Sequence, residues 1–402
     1  MPRAPLNRRN FLLRVASIAL LSCLAPAAWA ADDSASAPSH VRVTWKESPS
    51  SQATISWSTV EPGDKHRVLL RADGDDDDKQ RTIASTRDGE FSGSEGKLYY
   101  HHARLDDLEP ATKYEIRLES DGEESQSYYF LTAPDDDRPF KLLFGGDSRS
   151  GLDARKQMNE KLAAMVADDS DILALVHGGD YIASGLSFEQ WQSWLTDHEL
   201  TIGDDGRLLP IIPARGNHDV GELFNEIFDF PPRDTNYYAL SIGSLLRLVT
   251  LNTEISVAGT QANWLEDELA ASRPSHPWLV VQYHKPAYPA VKGPSGARTH
   301  WVPLFEKYNV DLACEADGHA IKRTVPIRDE QLDPTGVVYI GEGGLGVGQR
   351  SPNTAHWYLQ EPGKAGKGHH VQLLSFDNEH LEYQSILIDG EVFDRHTLEV
   401  RQ

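Results

Sequence analysis
The sequence predicts a layered α/β domain preceded by an all-β domain, and three observations carry that expectation. Between residues 41 and 70 apolar side chains alternate with polar ones, at Val41, Val43 and Trp45, then Ala53, Ile55 and Trp57, then Val68 and Leu70. This is the pattern of short strands with one buried face. Beyond residue 139, continuous apolar runs alternate with amphipathic stretches, as strands and helices do in α/β layers. Five of those runs end in turn residues that carry Asp, Asn or His: 140–144 before Asp147, 172–176 before Asp180, 208–213 before Asn217 and His218, 278–282 before His284, and 310–313 before Asp317 and His319. Packing alone gives no reason for this repetition, whereas α/β sheets bind ligands beyond the carboxyl ends of their strands.

Taken in order, residues 1–30 are expected to lie outside both domains. Arg8 and Arg9 precede an apolar stretch, and Ala28-Trp29-Ala30 has the form of a signal-peptidase site. The segment resembles a twin-arginine export signal, with an ordinary secretory signal or a lipoprotein signal at Cys23 as alternatives. The protein is therefore expected to be exported, periplasmic or secreted. No stable membrane anchor is expected, because no other stretch approaches the ~20 apolar residues that span a bilayer. Cleavage after residue 30 removes Arg3, Arg8, Arg9 and Arg14 and no acid, leaving 35 basic and 61 acidic residues, a formal charge of −26 against −22 for the whole chain. Such a surface repels nucleic acid and anionic membranes. It also leaves Cys314 alone, so no internal disulfide is expected.

Residues 31–38 have linker composition, and the all-β domain is expected over 38–134. Leu108-Glu109-Pro110-Ala111-Thr112-Lys113-Tyr114 and the exit Phe130-Leu131-Thr132-Ala133-Pro134 resemble a fibronectin type III domain. The acidic run 73–78 lacks the glycine and glutamate of a calcium loop and reads as a solvated hairpin tip. His101 and His102 read as strand residues at a domain contact. Asp135, Asp136, Asp137, Arg138 and Pro139 mark the boundary, and the second domain is expected over 139–402. Its stretches 153–167, 188–195 and 261–271 are expected helices, while 237–252 and 371–392 are expected antiparallel hairpins, which makes the domain mixed.

Asp180 reads as a carboxylate shared by two metal ions, because a dinuclear hydrolytic site divides oxygen and imidazole ligands between ions about 3.5–4 Å apart, with one carboxylate bridging. Gly146-Asp147, Gly179-Asp180, Gly216-Asn217-His218-Asp219, Tyr283-His284-Lys285-Pro286 and Asp317-Gly318-His319-Ala320 stand in the order found in the calcineurin-like metallophosphoesterases. With the fibronectin-like domain in front, the chain after residue 30 resembles their purple acid phosphatase-like branch over nearly its whole length. The resemblance implies a four-layer αββα sandwich, with a first metal on Asp147, Asp180 and His319 and a second on Asp180, Asn217, His284 and Asp317. The two ions, divalent or trivalent, would be iron, manganese or zinc. It also implies that His218 faces the substrate as phosphate contact or general acid, with Asp219 either orienting it or capping the loop.

Three positions depart from the family pattern. Asp317 stands where the family has the first histidine of Gly-His-x-His; its oxygen either keeps the second site, with a harder metal preference, or weakens it. Ala183 stands where purple acid phosphatases carry an iron-binding tyrosine, and alternation turns Tyr181 away from Asp180, so no tyrosinate-to-iron absorption is expected. Arg149 stands where many relatives have a histidine ligand. A guanidinium does not bind a cation, so Arg149 reads as a phosphate clamp or as an ion pair with a nearby carboxylate. His177 and His300 read as core or supporting residues. The glycine-rich run 341–348 lacks the lysine and helix of a P-loop and is expected only to pack against the site. The expected reaction is hydrolysis of a small phosphomonoester. Phosphodiester hydrolysis at the same site and a binding protein on a degenerate phosphatase scaffold are the alternatives.

Overall fold
The computed structural model describes residues 37–93 and 96–401; the export-signal reading of residues 1–30 lies outside them. The run 140–144 forms the strand Phe140–Gly145, and the alternation of its side chains decides the layering. Leu142 and Phe144 face a core shared with Leu246, Leu248, Trp278, Val280 and Leu312, so two sheets pack face to face. Leu143 points the other way, toward Met158, Leu162 and Val166 of the helix Leu152–Asp168. On the far side Leu279 and Val281 meet Leu265 and Leu269 of the helix Thr260–Ser272 and Phe305 of the helix Val302–Lys307. Helix, sheet, sheet and helix make the expected αββα layers.

Among the described residues the first sheet has ten strands and the second seven. In the first, Phe140–Gly145, Ile172–His177 and Ile211–Pro213 run parallel, and in the second so do Leu246–Thr250, Trp278–Tyr283, Leu312–Glu315 and Val338–Gly341. Parallel strands covered on both faces require continuous apolar runs, which is why the sequence shows no alternation there. The hairpin read at 237–252 is Tyr238–Ile242 with Leu246–Thr250, and the one read at 371–392 is the meander His370–Phe376, His380–Leu387 and Val392–Glu399. No helix among the described residues is long and apolar enough to cross a membrane.

The period-two strands of the N-terminal part form two leaves around Val43, Ile55, Trp57, Val68, Leu70, Ile116 and Phe130. One leaf does not stop at its own edge: Thr44 of the strand Ser39–Thr44 pairs in parallel with Ile211, which makes the leaf a continuation of the ten-stranded sheet. His102 fastens the same junction. Its two ring nitrogens lie 2.7 Å from the Ser56 hydroxyl and 2.7 Å from the Glu226 carbonyl. The acidic run is an exposed tip whose Asp75 and Asp77 pair with Lys79 and Arg71.

Candidate metal centre
Past each strand end the chain must reverse within two or three residues while presenting a polar side chain inward. Asp147, Asp180, Asp317 and His319 do so with backbone φ angles of 57°, 60°, 66° and 60°. Non-glycine residues rarely adopt this region and lose about 1 kcal/mol or more by doing so, and functional sites are where such strain gathers. Close approach excludes side chains elsewhere: a Cβ on Gly343 would collide with the Asp147 carboxylate, and one on Gly216 with that of Asp180. The glycine-rich turn accordingly lies on Asp147, with the amides of Gly344 and Leu345 on the Gly146 carbonyl at 3.1 and 3.0 Å.

Two groups of atoms converge here. In the first, Asp147 Oδ1 and His319 Nε2 are 3.1 Å apart, yet neither atom has an aligned hydrogen-bond partner although both are buried. Asp147 Oδ2 accepts the Asp317 amide at 2.9 Å. In the second, His284 donates from Nδ1 to the Gly178 carbonyl at 2.9 Å, which aims Nε2 at three oxygens. These are Asn217 Oδ1 at 3.2 Å, Asp180 Oδ1 at 3.3 Å and Asp317 Oδ1 at 3.6 Å. Ligand atoms of Asp147, Asp180 and His284 lie within 4.8 Å of one another, so the two groups are contiguous. Unpartnered buried polar atoms are costly, and two of them facing each other beside a ring of carboxylate, amide and imidazole donors fit oxygen- and nitrogen-binding cations.

Around this centre the remaining predicted residues take different places. Arg149 donates from Nε to Asp180 Oδ2 at 3.0 Å, so the ion pair is the contact present. His218 gives its amide to Asp180 Oδ1 at 2.9 Å, while its Nδ1 donates to the Ala183 carbonyl at 2.7 Å and Nε2 stands 3.9 Å from Asp180 Oδ2. The ring is thus oriented by Ala183. Asp219 accepts the amides of Gly216, Asp180 and Tyr181 at 2.8, 2.8 and 3.0 Å, the geometry of the loop cap rather than of a partner to His218. His177 is a core residue stacked on Tyr181 and 3.1 Å from the Ser148 hydroxyl. His300, read as core or supporting, is instead exposed on the short helix Ala297–His300, whose position on the surface leaves it outside the cluster. Sequence reasoning missed Lys292, which forms an ion pair with Asp317 Oδ1.

Burial alone would raise the carboxyl pKa of Asp180 and of Asp317. The charge and hydrogen bonds of His284, joined by Lys292 at Asp317, outweigh it and hold both well below the usual carboxylate range. Burial likewise disfavours a charged His284, and the surrounding Asp180, Asp317 and Asp147 overcome it to raise its pKa.

Tyr181 is fully buried, its ring 3.8 Å from His177 and packed against Trp194 and Phe228. Visible spectra of ferric-loaded wild type and Tyr181→Phe should therefore superimpose. A charge-transfer band lost in the variant would instead place the phenol on iron.

Comparison with known proteins adds to this geometry. The family profile of the purple acid phosphatase N-terminal domain matches residues 38–132, and that of the calcineurin-like phosphoesterases matches residues 140–320. An uncharacterised protein of Mycobacterium tuberculosis is 24% identical over 351 residues, 75% of this chain and 65% of that protein. The Fe(3+)-Zn(2+) purple acid phosphatase 12 of Arabidopsis thaliana is 26% identical over 322 residues, 71% of this chain and 65% of that one. The chain thus spans just under two thirds of the length of these relatives. In fold it is similar to the purple acid phosphatase PPD1 from yellow lupin seeds, with a TM-score of 0.75 at 18% identity over 90% of this chain and 74% of the other. It is also similar to PhoD, with a TM-score of 0.65 at 12% identity over 92% and 90%.

Proposed function
Because the chain belongs to the calcineurin-like phosphoesterases and carries a purple acid phosphatase N-terminal domain, we propose that it is an exported phosphomonoesterase working with two metal ions in a domain spanning 139–402, behind a fibronectin-like domain at 38–134. The observation that carries the reading is the pair of adjoining donor sets: Asp147 and His319 with unpartnered atoms 3.1 Å apart, and His284 Nε2 within 3.6 Å of Asn217, Asp180 and Asp317. Asp147, Asp180 and His319 would hold one ion, and Asp180, Asn217, His284 and Asp317 the other. When bound, two cations of iron, manganese or zinc lower the pKa of water and screen the charge of a phosphate.

The chain's own residues supply the rest. His218 is one-third exposed at 33%, with Nε2 turned toward the centre by its bond to Ala183, so it meets the ester oxygens and can hand a proton to the departing one. Arg149, held on Asp180, keeps a guanidinium beside the place where phosphate oxygens gather. Asp219 fixes the backbone of Gly216, Asp180 and Tyr181, and so the spacing between the two loops.

The test is hydrolysis of paired chromogenic mono- and diesters by protein lacking residues 1–30, stripped with chelator and then given manganese, iron or zinc. Monoester turnover should vanish on stripping and return with metal, at two ions per chain. Preference for the diester would replace the reaction, and a protein that binds no metal and turns over neither ester would end the reading.

A further inference from the structure
We propose that Lys292 is a phosphate-binding residue of this centre, placed beside it by its loop next to Asp317; the inference rests on the phosphoesterase reading and names a contact within it. Lys292 and Asp317 form an ion pair in which the carboxylate is almost fully buried and faces His284, whereas the lysine side chain is 38% exposed. An ammonium has three donors, of which one carboxylate oxygen uses one. Arg149, at 14%, and His218, at 33%, are likewise partly exposed on the otherwise buried Asp180. Three cationic or protonatable side chains therefore stand where a buried acidic cluster meets solvent, in a chain of formal charge −22. That arrangement suits an anion arriving from outside.

The loop carrying Lys292 is fixed on both sides. The Ala290 amide is held at 2.8 Å by the buried Glu342 carboxylate. Beyond the lysine, Ser295 is tied by its amide to the Pro286 carbonyl and by its hydroxyl to that of Lys285, both at 2.9 Å. A long flexible side chain is thereby launched from a constrained backbone, which reduces the ordering cost of binding. If Asp317 gives its oxygen to a cation, that cation repels the ammonium, and the partner of suitable charge at this mouth is phosphate.

The experiment measures binding of inorganic phosphate to metal-loaded wild type, Lys292→Met and Lys292→Arg by calorimetry, with metal content, circular dichroism and KM against kcat for a chromogenic monoester. Lys292→Met should weaken phosphate about tenfold and raise KM similarly, as loss of a charged hydrogen bond does. Metal content should stay unchanged, and arginine should restore most of the affinity. In wild type, phosphate should also slow acetylation of Lys292, read by peptide mass spectrometry, so the idea does not depend on any variant folding. Unchanged phosphate affinity in a folded Lys292→Met, loss of metal from it, or acetylation indifferent to phosphate would each overturn the assignment while leaving the phosphoesterase intact. Wild type that binds neither metal nor phosphate would remove both.

Discussion

Asp180→Asn should lower turnover of a chromogenic phosphomonoester about a thousandfold if, as proposed, its charge holds both cations, since such a charge bears on several kcal/mol of transition-state stabilisation at 1.36 kcal/mol per decade. The substitution is chosen so that the fold survives it. Asn is among the few residues that enter the left-handed backbone region readily, and Asp180 sits there with φ of 60°. Its backbone amide stays on Asp219 at 2.8 Å, and an amide oxygen can still accept the His218 amide now 2.9 Å from Oδ1. What is lost is the negative charge between Arg149 and His284. Metal analysis of the purified variant, beside its rate, should show fewer ions per chain. A fall of less than tenfold with full metal content would remove Asp180 from the centre of the mechanism.

What the sequence made legible, and what it hid, divides along one physical line. An apolar run followed by a turn that carries Asp, Asn or His forms a local signal, because a buried strand and the turn that ends it are written in consecutive residues. Asp147, Asp180, Asn217, His284, Asp317 and His319 were therefore readable, and the structure brings them together. Lys292 lies in an irregular loop with no period to mark it, and its partner Asp317 comes 25 residues later. The joining of Thr44 to Ile211 is longer range still, and a sheet edge carries no sequence mark of which strand will cover it. Glu315, Lys322 and Glu342 occupied a middle ground. Glu315 ends one apolar strand and Glu342 follows another, where an acid is almost never buried without a partner, so a pairing could have been inferred for them without knowing that it is with Lys322.

That buried trio makes Lys322→Met the variant expected to harm stability most, by about 3–5 kcal/mol, the cost of leaving buried charges unpaired. All three side chains are fully buried, with Lys322 paired to both carboxylates and bonded to the Tyr288 carbonyl. Methionine fills similar space and carries no charge, so the loss would come from Glu315 and Glu342 rather than from a cavity. The network also reaches the site. Glu315 Oε1 takes the Tyr283 hydroxyl at 2.5 Å and the Ala287 amide at 2.6 Å, bracketing His284 in sequence. The Glu342 backbone exchanges hydrogen bonds with His319 and Ala320 at 2.6 Å each. Denaturant unfolding of metal-free protein isolates the stability term from metal binding, which would otherwise add to it. Neutralising both acids in the same chain, Glu315→Gln and Glu342→Gln with Lys322→Met, should recover most of the loss, because replacing a buried ion cluster costs far less than breaking it. A single variant within about 1 kcal/mol of wild type would mean that water reaches these groups, in the range of exposed ion pairs. The loops of His284 and His319 would then owe their positions to backbone hydrogen bonds rather than to the charges behind them.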